Sequence, residues 1–594
     1  MVADLLNELN TQQREAVSYI KGPSIILAGA GSGKTRVLVY KVVNLIENSH
    51  ASPFNIVMIT FTNKAANEMK ERMGLKRLGY IGTFHSFCCQ ILRREGNNIG
   101  IDNGFVIYDE DDQASLIKSI IKKLEVKKFT PSYFLHRISS AKNKLILPGH
   151  YLEIFSDYNA SVSAEVYAKY QKELRKNKAL DFDDLILEVV NLFLKNSEVL
   201  EKYQDKYRYL LVVEFQDTNY IQYLLTKLLA EKYRNVTAVG DFSQSIYSWR
   251  GADSRNLEKF GQDFPEAKIF HLEQNYRSTQ TILDFAYKVI SKNQTHPVLN
   301  LFTTKKGGEK IEFYEAEDEE EEAIYVTNKI KDLVGNGLGQ SLQHSSFAVL
   351  YRTNAQSRLI EEAFLHYSLP YILVGGTRFY ERKEIKDVLS YLRLVANPDD
   401  EISQERIQKL GKKRWEEFRQ LFKKSSGQLK TFSTIELMEK IFKQTRYLEL
   451  YNPDLEEDYA RIENIKELKS VAMNFPNLSQ FLEQVALVES EYFEGEKRSG
   501  SKDGVRLMTL HQAKGLEFPV VFIVGVEEGI LPHSRSIDDI FSLEEERRLF
   551  YVGITRAKRN LYITYTRGRF IFGRRGESLK SRFLEQDTAP FSPP

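Results

Sequence analysis

A glycine-rich segment between an apolar run and a helical stretch constrains this chain more than any other feature. The run Ser24–Ala28 leads into Gly29-Ala30-Gly31-Ser32-Gly33, and Lys34-Thr35-Arg36 opens a helix. Glycines here let backbone N–H groups turn inward around a phosphate chain, and the helix dipole favours the anion. Lys34 supplies a charge for the β- and γ-phosphates, and the Thr35 hydroxyl can ligate Mg²⁺. The segment therefore predicts a nucleotide-binding phosphate loop, with Ala28 where the strict pattern has glycine.

Strand and helix signals alternate around this loop. Asn55–Phe61 is a second apolar run with β-branched residues, and strand signals return at Tyr209–Val213 and Val236–Asp241. This alternation predicts a parallel sheet with crossover helices. A second α/β region is predicted to start near Lys268, and its strand signals resume at Val505–Leu510.

Helical stretches interrupt both α/β regions. Asp109–Asn177 is helical in period, and a second helical stretch fills roughly Ile402–Glu496. The acidic run Glu317–Glu322 is interpreted as a solvated helix start. The predicted domains are a first lobe at 1–90 and 181–276 with a helical insertion at 91–180, and a second lobe at 277–400 and 505–594 with a helical insertion at 401–504.

Composition excludes several classes of protein. The fractions of hydrophobic residues, 42%, and of charged residues, 28%, fit globular domains. The net charge of +2 does not itself indicate a nucleic-acid partner, although a basic groove would not show in that sum. The two cysteines, Cys88 and Cys89, are adjacent, which argues against a disulfide framework. Neither a signal peptide nor an apolar run of membrane-spanning length is visible, so we expect a cytoplasmic protein without a membrane partner.

The strand Tyr209–Val213 ends in an acidic segment. A nucleotide motor needs a carboxylate at a strand end to hold Mg²⁺ and a base to orient the attacking water. Glu214 lies just beyond the apolar run, where a catalytic base belongs. The metal-holding aspartate would stand immediately before it, and Val213 occupies that position. The alternative is that Glu214 is a surface residue at a strand end.

Further segments, taken together in their order, resemble the motifs of the UvrD/Rep/PcrA helicases of superfamily one, and the resemblance covers almost the whole chain. These segments are Leu9–Gln13, Thr60–Ala66, Gly82–Phe87, Glu214–Asn219, Val239–Ala252, Glu273–Thr279, Thr509–Phe518 and Tyr551–Ala557. The resemblance implies two RecA-like lobes with parallel sheets, each interrupted by a helical insertion. It also implies an ATP-dependent DNA helicase that hydrolyses ATP, with Mg²⁺, in the cleft between the lobes.

The resemblance assigns roles around the nucleotide. Gln13 would read the adenine, Tyr276 would stack on it, and Glu517 would accept from the ribose hydroxyl. Gln244 would sense the γ-phosphate or the water. Arg277 and Arg556 would reach the γ-phosphate from the second lobe, where the guanidinium fork suits developing anionic oxygens. The predicted catalytic residues are Lys34, Glu214, Gln244, Arg277 and Arg556, and the predicted metal-binding residues are Thr35 and Glu214.

Single-strand binding without sequence reading needs aromatic faces and backbone contacts. The predicted DNA-binding residues, all inside the motifs, are Phe61, Thr62, Asn63, His85, Tyr247, Trp249, Arg250 and His511. Phe84 and Phe87 are interpreted as core, whereas Trp249, flanked by Ser248 and Arg250, is expected to be exposed in a groove. The family implies single-stranded DNA and single-strand/duplex junctions as partners, and movement from 3′ to 5′.

The chain departs from the family at two places. Val213 removes a carboxylate, which should weaken Mg²⁺ positioning and hydrolysis while leaving nucleotide binding largely intact. After Ala396–Asp400 the family continues into a longer accessory domain with a glycine-bearing turn. Here the insertion at 401–504 looks truncated, so duplex contacts and self-inhibition are both in question.

Two functions therefore remain open. One is a DNA-stimulated ATPase that translocates and unwinds, and the other is an ATP-dependent single-strand clamp without turnover, a pseudo-helicase. Val213 favours the clamp, and the other motifs favour the motor. A P-loop kinase or transporter ATPase is excluded because it has no use for the paired arginine motifs or for Tyr247–Arg250. If the chain does hydrolyse ATP, Asp217 or Asp241 must support Mg²⁺ in place of the missing aspartate.

Overall fold

A computed structural model describes residues 6–73, 78–126, 129–305, 307–335, 342–424, 429–498, 503–571 and 574–584. The chain forms two compact units. The first contains residues 1–277 and 293–304, and the second contains residues 278–292 and 305–594. Each unit is built on a six-stranded sheet in which every neighbouring pair of strands is parallel. The predicted α/β class with two RecA-like lobes is confirmed.

The first sheet has the strand order β3-β2-β6-β7-β1-β8. Its strands are β1 Ser24–Ala28, β2 Ile56–Thr60, β3 Tyr80–Thr83, β6 Tyr209–Val213, β7 Val236–Gly240 and β8 Lys268–Leu272. Successive residues of β6 face opposite sides: Leu210 and Val212 belong to one core cluster and Leu211 and Val213 to another. Because both faces of the sheet are covered, the four inner strands β2, β6, β7 and β1 are buried along almost their whole length.

Helices cover both faces of this sheet. The helices of the sheet layer are α1 Thr11–Ser18, α2 Lys34–Glu47, α3 Asn63–Met73, α4 Phe84–Glu95, α9 Phe182–Lys195, α10 Ser197–Lys206, α11 Tyr220–Ala230 and α12 Asn256–Asp263. The insertion contains the short strands β4 Val106–Ile107 and β5 Ala179–Leu180 and the helices α5 Glu110–Lys123, α6 Pro131–Asn143, α7 Tyr151–Ile154 and α8 Ala160–Lys176. Phe84 and Phe87 are buried in the core, as predicted.

The second sheet has the order β11-β12-β10-β13-β14-β9. Its strands are β9 Glu312–Ala316, β10 Phe347–Tyr351, β11 Tyr371–Leu373, β12 Val505–Thr509, β13 Phe518–Ile523 and β14 Ala557–Thr566. A hairpin of β15 Gly568–Ile571 and β16 Arg574–Glu577 follows. The helices are α13 Gln280–Ile290, α14 Glu319–Gly335, α15 Ser357–His366, α16 Lys383–Ala396, α17 Glu401–Lys409, α18 Lys412–Lys424, α19 Thr434–Thr445, α20 Glu456–Asn474, α21 Leu478–Arg498 and α22 Ile540–Ile554.

Two predictions from the sequence are wrong. The strand at Lys268 does not open the second α/β region, because it pairs with β1 at the edge of the first sheet. The acidic run is not solvated throughout, because Glu322 is 5% exposed. Its carboxylate accepts from the Gly525 N–H at 2.8 Å and pairs with Arg569 at 2.7 Å, so tertiary partners compensate for its burial.

None of the helices in the described part of the chain combines the length and the apolar character that crossing a membrane requires.

A buried lysine holds the first insertion against α9. Lys142 is fully buried, and its Nζ lies 2.6 Å from Asp181 Oδ2 and 2.8 Å from Asp184 Oδ1. Burial alone would lower the pKa of Lys142, but the two carboxylates raise it above its ordinary value. The Tyr170 hydroxyl also donates to Asp181, at 3.0 Å. The cation is therefore paired with two carboxylates at a fully buried position.

Replacing Lys142 with methionine should lower the free energy of unfolding by about 3–5 kcal/mol, because two buried carboxylates lose their cation. Urea unfolding followed by circular dichroism measures the change. Lys172→Met, at an exposed site in the same insertion, is the matched control and should change stability by less than about 0.5 kcal/mol. Equal midpoints for the two variants would contradict the structural role of the pair.

Candidate functional site

The predicted phosphate loop lies between β1 and α2 in the first unit. Gly31 has a φ of +66° and Gly33 a φ of +87°, a backbone region that favours glycine. A Cβ on Gly31 would lie 2.7 Å from Asn275 Nδ2, and one on Gly29 would lie 2.3 Å from a methyl group of Leu301. The glycines are therefore required both by backbone conformation and by close neighbours.

The Lys34 ammonium lies at the mouth of the loop. It donates to the Ala28 carbonyl at 3.0 Å, and it lies 3.9 Å from Asp241 Oδ2. The Ser32 hydroxyl closes the loop by donating to the Gly29 carbonyl at 2.8 Å. A positive charge beside inward-turned backbone at a helix start fits the phosphates of a nucleotide.

The segment after β8 is attached to the loop. Asn275 Nδ2 donates to the Ala30 carbonyl at 2.6 Å, and the Tyr276 N–H donates to the Gly31 carbonyl at 2.9 Å. Arg277 follows directly and groups with the first unit, whereas the family resemblance placed it on the second lobe. Arg277 groups with the first unit because the hydrogen bonds of its neighbours Asn275 and Tyr276 hold this part of the backbone to the phosphate loop.

The predicted adenine-reading segment lies beside the loop as well. Gln13 is 1% exposed, and its Nε2 donates to the Ser32 carbonyl at 2.9 Å. Asn10 caps α1 and donates to the Tyr276 hydroxyl at 2.8 Å. Arg36 lies in the first turn of α2 and pairs with Glu8 at 2.9 Å. The first unit thus brings together Gln13, the loop and the exposed ring of Tyr276.

The carboxyl ends of β6, β7 and β1 lie side by side and carry the acidic residues. Val213 pairs with Val239, and Leu27 pairs with Gly240, so Asp241 lies at the central strand end, between Glu214 and Ala28. Glu214 has a φ of +54°, which is uncommon for a residue with a side chain and often marks functional sites. Its carboxylate accepts from Gln216 Nε2.

Asp241 is a buried carboxylate at the centre of this edge. Burial raises the pKa of Asp241, while the positive charge of Lys34 and a hydrogen bond from Gln244 oppose that rise. The charge of Glu214 adds to the rise. Gln244 Nε2 donates to Asp241 Oδ2, so the predicted γ-phosphate sensor is already part of the same group of side chains.

Val213 contributes no ligand to this edge. It is 4% exposed and belongs to the apolar cluster that contains Ala28 and, from α2, Val37 and Leu38. The side chain therefore faces the helix that carries Thr35, where an aspartate would offer an oxygen. Thr35 and Glu214 remain as residues that could hold Mg²⁺, and Asp241 is a further carboxylate nearby. Among the described residues, no group of three or more His, Cys, Asp or Glu side chains is arranged to hold a metal ion.

Three aromatic rings follow the carboxyl ends of β2 and β7 in the same sheet. Phe61 stacks on Tyr247 with ring centroids 5.7 Å apart and planes 11° from parallel. Trp249 meets Tyr247 edge-on at 6.4 Å, and the Arg250 guanidinium lies 4.5 Å above the Trp249 ring. Trp249 is 38% exposed, as predicted. It lines a groove of about 630 Å³ whose other lining residues include His136, Lys144, Tyr220, Arg250 and Lys259.

The remaining predicted DNA-binding residues are dispersed. Thr62 and Asn63 are exposed at the start of α3. His85, on α4, meets the Phe182 ring edge-on at 6.0 Å, and burial lowers its pKa. His511 lies in the second unit, in the turn that follows β12.

Two predicted nucleotide-binding residues also lie in the second unit. Arg556 is 1% exposed, and its guanidinium donates to the carbonyls of Val552 at 2.9 Å and Leu516 at 3.1 Å. Glu517 is half exposed and pairs with Lys558 at 2.8 Å. The Arg556 side chain is therefore held rigidly, whereas Glu517 can exchange its surface partner.

Comparison with known proteins identifies the family. The model of the UvrD/REP helicase N-terminal domain matches residues 9–265, and that of the UvrD-like helicase C-terminal domain matches residues 270–416 and 408–568. The chain belongs to the UvrD/REP helicase family. The ATP-dependent DNA helicase PcrA of Bacillus subtilis is 45% identical over an alignment that covers 98% of this chain and 86% of the relative. Proteins of the same name from Staphylococcus aureus and Staphylococcus epidermidis are 43% and 42% identical, with the same coverage.

The alignments also show that the chain lacks segments that its relatives carry. The alignment with the Bacillus subtilis protein runs over 638 positions, more than the 594 residues of this chain, so the relative carries segments without a counterpart here. The two stretches matched by the C-terminal family model overlap at residues 408–416. That overlap lies at the end of α17 and the start of α18, within the insertion that the sequence suggested to be shortened.

The sequence missed several residues of the site. Asn275 anchors the loop, Leu301 covers Gly29, and Asn143 joins the first insertion to the segment that follows Glu214. Asn275 lies inside a motif, so its position was a usable signal. No sequence signal pointed to Leu301 or Asn143, because the residues that they contact are distant in sequence.

Proposed function

We propose that this chain is an ATP-dependent DNA helicase that moves 3′ to 5′ on single-stranded DNA and that its hydrolysis step is weakened by Val213. The observation that carries the proposal is one short segment of the first unit. Asp241 and Gln244 lie at the phosphate loop. A few residues later, Trp249 lines the groove of about 630 Å³, called the aromatic groove below, and the Tyr247 ring meets the Trp249 ring edge-on. Movement of this segment on nucleotide binding would move the rings that hold the bases.

The side chains divide the chemistry between them. Lys34 and the loop N–H groups bind and orient the phosphates, and Glu214 takes the proton of the attacking water while Gln244 orients that water. Mg²⁺ bound with the nucleotide would neutralise charge on the β- and γ-phosphates, held by Thr35 and, through water, by the strand-end carboxylates. Arg277 and Arg556, the paired arginines, are proposed to stabilise the charge that develops on the γ-phosphate.

Strand displacement tests the proposal. The parent chain and its Val213→Asp variant, with ATP and Mg²⁺, are each given duplexes that carry a single-stranded tail at either the 3′ or the 5′ end. Displacement of the 3′-tailed substrate alone supports the proposed polarity and the use of single-strand/duplex junctions. Displacement of the 5′-tailed substrate alone contradicts the polarity. No displacement of either substrate, with tight single-strand binding retained, favours the clamp.

The clamp is the second candidate because Val213 removes a carboxylate without disturbing the loop. As a clamp, the chain would bind ATP and single-stranded DNA together. The bound nucleotide would control the affinity for the strand without being hydrolysed. The proposed protein acts in the cytoplasm and needs no membrane.

Trp249→Ala should weaken binding of single-stranded DNA by about 5- to 150-fold, which corresponds to the loss of roughly 1–3 kcal/mol of stacking on one base. Fluorescence anisotropy with a labelled oligodeoxythymidine measures the affinity. Tyr158→Ala removes a ring that is 92% exposed and does not line the groove, and it should leave the affinity unchanged. Equal affinities for the Trp249 variant and the parent chain would exclude the groove as the binding site.

A further inference from the structure

A side-chain hydrogen bond joins the first insertion to the acidic segment Glu214–Asn219. Asn219 Nδ2 donates to Asn143 Oδ1 at 2.7 Å, across 76 residues of sequence. Asn143 is the last residue of α6, and Asn219 is the N-cap of α11, five residues after Glu214. The contact therefore links the insertion to the chain that positions the proposed base.

On its other side, Asn143 is tied to the buried ionic cluster of the insertion. Asn143 Nδ2 donates to the Ser139 hydroxyl at 3.3 Å. Burial raises the pKa of the neighbouring Asp183 carboxyl to about 6, and the Ser139 and Asn143 side chains oppose that rise. Lys142, the neighbour of Asn143, is held between Asp181 and Asp184. Asn143 is thus fixed at the end of a helix whose own position is set by buried charges.

The segment that carries the aromatic groove lies against the same two asparagines. A Cβ on Gly251 would lie 3.8 Å from the Cβ of Asn219 and 3.9 Å from that of Asn143. The Asp253 N–H and Asn256 Nδ2 both donate to the Thr218 carbonyl, at 3.0 Å and 2.8 Å. The loop that bears Trp249 is therefore attached to the residues that directly follow Glu214, and α6 lines the same groove.

We infer that Asn143 is a positioning residue through which occupancy of the aromatic groove by a single strand is coupled to the proposed base Glu214, with Asn219 as its partner. The inference rests on the proposed function, because it assumes that the groove binds a strand and that the loop binds a nucleotide. A strand in the groove presses on α6 and on the Trp249 loop, and both elements converge on Thr218 and Asn219. A shift of Asn219 is a shift of the short turn that starts at Glu214.

Thermodynamic coupling tests the inference without any need for hydrolysis. The affinity of the whole chain for a fluorescein-labelled oligodeoxythymidine is measured with and without saturating adenylyl-imidodiphosphate, and the ratio of the two dissociation constants is the coupling factor. By linkage the strand must change the affinity for the nucleotide by the same factor. We expect a factor of roughly tenfold in either direction for the parent chain and a factor near one for Asn143→Ala.

A second variant reaches the same contact from the other side. Asn219→Ser keeps an oxygen that can cap α11 but removes the amide donor, so α11 retains its start. We expect Asn219→Ser, Asn143→Ala and the double variant to lose coupling to the same extent, because all three delete one contact. Asn177→Ala, at an exposed asparagine of the same insertion, is the matched control and should retain the coupling of the parent.

The possible results separate the inference from the proposed function. If the variants bind both ligands and keep the coupling of the parent, Asn143 is not a positioning residue. If the losses of coupling in the two single variants add up in the double variant, the two residues act independently, and this result would also overturn the inference. A parent chain that binds both ligands without coupling refutes it as well. A parent chain that binds neither ligand refutes the proposed function itself.

Discussion

Replacing Val213 with aspartate should raise the rate of ATP hydrolysis in the presence of single-stranded DNA by about 10- to 100-fold, the range seen when a residue that orients a metal's ligands is lost or restored. Val213 lies on the face of β6 that packs against α2, in the cluster that contains Val37 and Leu38. An aspartate at this position would offer a carboxylate oxygen toward the first turn of α2, which contains Thr35. The phosphate loop retains Gly29, Gly31, Gly33 and Lys34. The missing carboxylate at position 213 is therefore the clearest defect of the site.

A coupled assay of ADP release, with and without oligodeoxythymidine, measures this change over a range of Mg²⁺ concentrations. The variant should need less Mg²⁺ for half-maximal rate than the parent chain. Val213→Asn, which has a similar shape without the charge, is the matched control and should gain much less. A Val213→Asp variant that is no faster than the parent would refute the assignment of the defect to this position.

A parent chain that is already fast and DNA-stimulated would point to a different carboxylate. Asp241 is the stronger candidate, because it lies 3.9 Å from the Lys34 ammonium and accepts from Gln244. Asp217 is buried but receives its hydrogen bond from Gln216, which also contacts Glu214. Asp241→Asn should then abolish the activity of the parent chain, and Asp217→Asn should reduce it less.

Glu214→Gln, made in the Val213→Asp background, should lower kcat by about 10²- to 10⁴-fold, the usual contribution of a general base. Glutamine has the same shape as glutamate and can adopt the same backbone, but it cannot take a proton from water. The affinity for the nucleotide should change little, because the phosphates are held by the loop and by Lys34. A large fall in kcat with nucleotide affinity retained would identify the base.

Single-turnover hydrolysis, together with binding of a fluorescent ATP analogue, separates these two quantities. Glu231→Gln, at an exposed site after α11, is the matched control for the change of charge. If Glu214→Gln hydrolyses ATP as fast as its background, Glu214 is a strand-end residue without catalytic role, which is the alternative that the sequence left open.

Many strands of the two sheets were predictable because they are short apolar runs bounded by turn residues. Ser24–Ala28 and Tyr209–Val213 are buried along almost their whole length, as parallel strands covered on both faces require. The order of the strands was not predictable from these runs. Lys268–Leu272 has the same local pattern as a strand that starts a new sheet, and only its pairing with β1 assigns it to the first.

Charged residues inside the structure were the least predictable feature. Lys142 and Glu322 lie in polar sequence and resemble solvated positions, yet both are buried because a tertiary partner neutralises each of them. The partners are distant in sequence: Asp181 and Asp184 for the lysine, and Arg569 for the glutamate. Neither composition nor hydrophobic periodicity can predict such pairs.

The site was predictable to the extent that its residues share one motif. The phosphate loop occupies a single segment, and the spacing of its glycines and Lys34 predicts its chemistry. The aromatic group at Tyr247–Arg250 also occupies a single segment, but its predicted role came from the resemblance to the helicase family. Arg277 was expected from the second lobe, and the structure groups it with the first because Asn275 and Tyr276 hold its backbone to the loop. Contacts between segments distant in sequence, such as that between Asn143 and Asn219, could be identified only from the structure.

The two compact units are interleaved along the chain, and this has a consequence for synthesis. Leu301 covers Gly29 of the phosphate loop, but α13, which precedes it, belongs to the second unit. A ribosome therefore cannot release a finished first unit before it has begun the second, although domains commonly fold in order as they emerge. The nucleotide loop should acquire its final packing only after residue 301 has left the exit tunnel, so a growing chain acquires its phosphate site late.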